Sequence, residues 1–186
     1  CSGSSEAALA ELCGGRQGPA GLIGESTAAA TLTGSLPSFS VTLDASSLTA
    51  GRHYRLCISL NASDSTSVFH DAYQPVYVTG IRGTSFTSIG NADAQTISFD
   101  CPEGCSLSSA LYIGSFCDHT DFSGAHAAEP GVSTDATLIG QVVGDTYKAT
   151  VNTTGLPAGS YVICADLDGT GTAMAFGDTS VQISLR

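Results

Sequence analysis

Apolar and small polar residues alternate along several short stretches of this chain: Ser38-Phe-Ser-Val-Thr-Leu43, Val76-Tyr-Val-Thr-Gly-Ile81, Tyr147-Lys-Ala-Thr-Val151 and Val181-Gln-Ile-Ser-Leu185. A period of two sends successive side chains to opposite faces of a strand. Gln95-Thr-Ile-Ser-Phe-Asp-Cys101 reads as a further strand that ends at a cysteine. Clusters of Gly, Asn, Asp and Pro separate these stretches and supply turns. Glu6-Ala-Ala-Leu-Ala-Glu-Leu12 is the exception, because its residues are good helix formers.

A duplication settles that segment. Cys1 and Cys13 enclose eleven residues, and so do Cys105 and Cys117. Leu48-Thr-Ala-Gly51-Arg-His-Tyr54-Arg-Leu-Cys57 matches Leu156-Pro-Ala-Gly159-Ser-Tyr161-Val-Ile-Cys164, with one residue of slack. Phe69-His-Asp71 follows Cys57 at the distance by which Phe176-Gly-Asp178 follows Cys164. These landmarks recur in one order with a period near 104 to 107 residues. The partner of Glu6–Leu12 is Ala110-Leu-Tyr-Ile-Gly-Ser-Phe116, which reads as a strand, so both are expected to be strands. The repeat divides the chain into residues 1–84 and 85–186. The first copy has no counterpart of Gln95–Cys101 within those bounds. A strand from outside residues 1–186 is therefore expected to complete it, and Cys1 is expected to pair outside the chain or to remain free.

Composition narrows the class. Charged residues are 12% of the 186 and hydrophobic ones 42%. Ser and Thr make up about a quarter of the chain, which suits strands and turns better than helices. The net charge of −11 repels phosphate backbones, so no nucleic-acid partner is expected. No apolar stretch approaches the roughly 20 residues that span a bilayer, and no signal-peptide pattern is present. Seven cysteines point to an oxidising compartment, extracellular or at the cell surface. Two sequons, at Asn61 and Asn152, are candidate glycosylation sites and agree with secretion.

The stretch Leu156-Pro-Ala-Gly159-Ser-Tyr161 before Cys164, with its counterpart around Gly51 and Tyr54, resembles the tyrosine corner of immunoglobulin and fibronectin-type sandwiches. The resemblance implies an all-β fold of two tandem immunoglobulin-like β-sandwiches, the first lacking its first strand. It also implies that the Tyr54 and Tyr161 hydroxyls hold their turns. No Trp occurs and the Tyr stands three residues before the Cys, so the likeness is to the broad sandwich class and not to antibody domains. Bridges Cys13–Cys57 and Cys117–Cys164 are expected to tie early to late strands across each sandwich, at roughly 2 to 4 kcal/mol each. Cys101, Cys105 and Cys1 are further disulfide candidates, and spacing leaves the connectivity open.

No catalytic constellation is legible, so no catalytic residue and no cofactor is assigned and the chain is not expected to be an enzyme. His53, His70, His119 and His126 lie in no recognised motif. Cys117-Asp118-His119 holds a nucleophile and a base, but Cys117 is a repeated landmark and reads as a disulfide. Asp166-Leu-Asp168-Gly-Thr-Gly171 has the alternating carboxylates of a calcium loop. Asp166 and Asp168 are thus the candidate metal ligands, set against a plain Gly-rich hairpin. Tandem modules, disulfide staples and an incomplete first module suggest a structural subunit of an extracellular filament, pilus-like fibril or surface layer. Such a chain would assemble with other copies of itself as a homopolymer, by strand complementation or end-to-end contacts. The architecture is similar to that of donor-strand pilus subunits, in which a neighbour's strand fills an open edge. The alternative is a cell-surface adhesin or carbohydrate-binding module with glycan partners, using Tyr73, Tyr77 or Tyr112 as stacking platforms.

Overall fold

The computed structural model describes residues 4–14, 21–61, 68–85, 87–117, 133, 137–169 and 175–186. Their regular structure is all strand, gathered in several sheets, with no α-helix among the described residues. The chain forms two compact units, Cys1–Thr49 with His53–Val78, and Ala50–Arg52 with Thr79–Arg186.

The first unit contains β1 (Glu6–Cys13), β2 (Leu22–Ser26), β3 (Ala30–Thr31), β4 (Thr33–Ser35), β5 (Ser38–Ser40), β6 (His53–Ser59) and β7 (His70–Tyr77). Its main sheet runs β2-β1-β6-β7, with β3 also paired to β1. The helix-favouring residues of β1 are a strand because that strand is central. It has antiparallel neighbours on both edges, and Ala7 to Ala10 are buried. Small side chains fit a strand covered on both faces, and tertiary contacts outweigh a propensity of a few tenths of a kcal/mol per residue. β4 and β5 form a separate two-stranded hairpin.

The second unit contains β8 (Arg82–Thr84), β9 (Ser88–Ile89), β10 (Gln95–Asp100), β11 (Ala110–Gly114), β12 (Thr137–Leu138), β13 (Gly140–Val143), β14 (Thr146–Val151), β15 (Gly159–Asp166) and β16 (Gly177–Leu185). One sheet runs β13-β14-β10-β8 and the other β12-β11-β15-β16-β9. A single core draws on both: Ile97, Phe99, Ala149 and Val151 from the first, Leu111, Ile113, Ile163 and Ile183 from the second. Residues 79–84, counted with the first copy from the repeat alone, sit in the second unit, where Arg82–Thr84 pairs with β10.

Period-two alternation also explains where the disulfides lie. Tyr161, Ile163 and Ala165 of β15 enter the large core, while Val162 and Cys164 turn to the other face, against Ala110, Tyr112 and Phe176. In β6, Tyr54 and Leu56 meet Leu9 and Leu48, and Cys57 faces the other way, against Ala8, Ala10 and Phe69. Cys13–Cys57 and Cys117–Cys164 are the bonded pairs. The expectation that they cross a sandwich is corrected: each joins the neighbouring strands of one sheet, β1 to β6 and the end of β11 to β15, on the face away from Tyr54 or Tyr161. Cys101 is bonded to Cys105. Cys1 lies outside the described residues.

Two strand expectations change. The Val76–Ile81 run is strand only as far as Tyr77. The Ser38–Leu43 run is strand only as far as Ser40, and residues 41–45 carry no strand structure.

Candidate functional site

The repeat pairs Phe39, Val41 and Leu43 with Tyr147, Ala149 and Val151. In the second unit β14 is held on both sides. β13 pairs with one edge and β10 with the other, Phe99 opposite Tyr147, Ile97 opposite Ala149, and Gln95 opposite Val151. Tyr147, Ala149 and Val151 are consequently buried. In the first unit the β4–β5 hairpin takes the place of β13 and the start of β14. Among the described residues of that unit nothing takes the place of β10. Val41, Leu43 and Ala45 are only half-buried, and Leu43 and Ala45 rest against the Leu9, Leu48 and Tyr54 cluster. The alternating pattern is intact, yet the ladder that would make it a strand is missing. A segment with a strand's alternation and no ladder partner is a template for another strand.

The corners differ as well. Tyr161 donates to the Pro157 carbonyl oxygen at 2.8 Å, a direct tie to its own turn. Tyr54 is fully buried and donates to the carboxylate of Glu25, with the Thr49 N–H 3.0 Å from its oxygen. Glu25 also accepts from the Thr49 N–H at 2.9 Å and the Thr49 hydroxyl at 2.8 Å. Burial foremost, then the Glu25 carboxylate holding the proton, pushes the Tyr54 hydroxyl up to about 12. Gly51 sits at φ +92, which a side chain would strain, whereas Gly159 opens β15 without a positive φ.

A cleft of about 400 Å³ opens on the first unit, lined by the end of β1, the start of β6 and the bulged middle of β7. Its walls include Glu11, His53, Arg55, Asp71 and Tyr73. Arg55 and Asp71 form an ion pair. The Asp71 carboxyl lies below its usual range, first because it accepts from the Tyr73 N–H at 2.7 Å, then through Arg55. Tyr73 adopts φ +57 in a β-bulge opposite β6 and is 87% exposed. Of the three tyrosines named as platforms, Tyr112 is instead core, fully buried edge-on to Phe176. Tyr77 is half-buried, with its ring 4.9 Å from that of His53.

The remaining candidates are dispersed. Asn61 is exposed, with the rest of its sequon, Ala62 and Ser63, outside the described residues. Asn152 is half-buried and its side-chain oxygen accepts from the Thr154 N–H at 3.0 Å. Asp166 is buried and accepts from the Gly169 N–H at 3.3 Å. Gly169 stands at φ +97, and a Cβ there would lie 2.5 Å from the Ser108 carbonyl oxygen, so this is a tight turn after a core strand. Thr170 and Gly171, with Asp118, His119 and His126, lie outside the described residues. No three His, Cys, Asp or Glu side chains among the described residues gather to hold a metal ion. No described helix is long and apolar enough to cross a membrane. No protein-family model matches the sequence, and no curated protein matches it.

Proposed function

We propose that this chain is a structural subunit of an extracellular filament, pilus-like fibril or surface layer, built from two immunoglobulin-like sandwiches and assembled as a homopolymer. Three intramolecular disulfides support an oxidising, extracellular setting. The observation that carries the reading is the stretch after Ser40, where Val41–Leu43 lie outside any strand while their counterparts Ala149–Val151 pair with β10. A strand from another copy, antiparallel to residues 39–43, would complete the ladder and cover Val41 and Leu43.

The test is hydrogen exchange with electron microscopy on natively secreted material. Filaments or sheets are expected in negative stain, with slowed amide exchange at residues 41–45 relative to the dispersed chain. Monomeric, non-fibrous material, or fibres whose residues 41–45 exchange as fast as in the free chain, would overturn strand complementation. A second reading, an adhesin or carbohydrate-binding module, is supported by the exposed Tyr73 beside the Arg55–Asp71 cleft.

A further inference from the structure

The two repeats are built on the same bulge but furnish it differently. In the second unit, Asp178 accepts from the Ser180 N–H at 2.7 Å, and Ser180 has φ +60. This is the arrangement of Asp71 and Tyr73, 107 residues earlier. The slip in register falls between Val162 and Cys164 in one copy and between Arg55 and Cys57 in the other. The bulge therefore needs the Asp and accepts a Ser at the left-handed position. An aromatic residue there is not required by the fold, and bulky side chains are disfavoured at positive φ.

The other walls follow the same division. Where the first unit has His53, Arg55, Tyr73 and Gln74, the second has Ser160, Val162, Ser180 and Val181. Ser115 stands where Glu11 does. One copy thus carries an exposed tyrosine ring at the bulge, a guanidinium and two carboxylates around a cleft; the other keeps the Asp, has Ser at the bulge, and places the exposed Phe116 where the first has Leu12. Gly24, at φ +78, leaves the space that the Glu11 side chain fills.

We infer that the Tyr73 cleft is a saccharide-binding site that takes a neutral sugar residue, with the ring of Tyr73 as its stacking platform. This deepens the second of the two functional readings and rests on it. A pyranose has an apolar C–H face and a rim of hydroxyls that both donate and accept. The exposed Tyr73 ring matches the face. Arg55 and Asp71, fixed by their mutual pairing, offer donors and acceptors at set positions for the rim. Glu11 and Asp71 outnumber Arg55, and the chain carries −11 overall, so sialylated and sulphated sugars are repelled.

The experiment is binding of the oxidised chain to immobilised neutral, sialylated and sulphated oligosaccharides. The best neutral ligand is then titrated by NMR against wild type, Tyr73→Ser and Arg55→Val, which install the residues of the second repeat. Neutral glycans are expected to bind, with amide shifts confined to residues 53–55 and 71–75. Tyr73→Ser is expected to weaken binding at least tenfold and Arg55→Val at least fivefold, with amide spectra otherwise retained. Preference for acidic glycans, or neutral binding that leaves residues 71–75 unshifted or survives Tyr73→Ser, overturns the site while leaving an adhesin reading in place. Absence of any glycan binding overturns both. Because shift mapping uses the wild type, a misfolded variant does not rescue the proposal.

Discussion

Residues 39–43 and 147–151 carry one pattern in two settings. Phe39, Val41 and Leu43 alternate with small polar residues just as Tyr147, Ala149 and Val151 do. The second set lies between β13 and β10 and is buried, and the first leaves the strand conformation after Ser40. The comparison separates two things that alternation is usually asked to supply together. Alternation decides which side chains face the core. Whether the backbone becomes a strand depends on a partner for its N–H and C=O groups.

The contrast is tested most severely by removing a disulfide from each unit. By loop entropy, Cys13–Cys57 and Cys117–Cys164, with sequence separations of 44 and 47, contribute about 4 kcal/mol each. The second unit also has a core that draws on two sheets, whereas the described residues of the first form two small clusters. Cys57→Ala is expected to unfold the first unit outright at 37 °C, while Cys164→Ala leaves the second folded with a lowered melting temperature. Calorimetry of both variants checks this, and equal responses would erase the difference.

A smaller effect probes the two strands themselves. Val151→Ala, at a fully buried site, is expected to cost about 2 kcal/mol in urea unfolding. Leu43→Ala is expected to cost under about 1 kcal/mol in the dispersed chain, since Leu43 is only half-buried. In assembled material, the same Leu43→Ala change should slow or prevent assembly, measured by light scattering.

The corners give the next contrast. Tyr161→Phe removes one hydrogen bond to a carbonyl, about 1 kcal/mol. Tyr54→Phe strips a buried donor from the Glu25 carboxylate and should cost up to about 2 kcal/mol. The smallest effect is confined to alkaline solution. Tyr54 ionises at about 12 in the folded chain against an ordinary 10.0. Its raised value means that its contribution is complete below pH 10 and is lost as pH rises through 12. Stability of the first unit should therefore fall over that window, and Tyr54→Phe should flatten that fall.

The strands were legible wherever a local pattern and a local partner coincide, as in Tyr147–Val151 and Val181–Leu185. The pairs Cys13–Cys57 and Cys117–Cys164 were expected because these cysteines recur as landmarks of the repeat, and the structure bonds them, although spacing alone left the connectivity open. The face they occupy was not legible, since a period of two names two faces without saying which one meets a second sheet. Tyr112 and Tyr73 were indistinguishable by residue type. Parity along β11 buries the first, and a bulge closed by Asp71 exposes the second. Glu25 carried no signal, because its partners Thr49 and Tyr54 stand 24 and 29 positions away.

The position of the two long disulfides also fixes how far the molecule can be stretched. Each bond short-circuits the chain between its cysteines, so a pull on the termini passes across a Cα–Cα gap of 5.6 Å at Cys13–Cys57 and 5.4 Å at Cys117–Cys164. The 44 and 47 residue steps so bypassed would span about 150 and 160 Å if drawn straight. Of the roughly 650 Å that 186 residues could reach, nearly half is withheld while the bonds are intact. Single-molecule pulling should release that length only after reduction, which makes the oxidised chain a tether with a built-in stop.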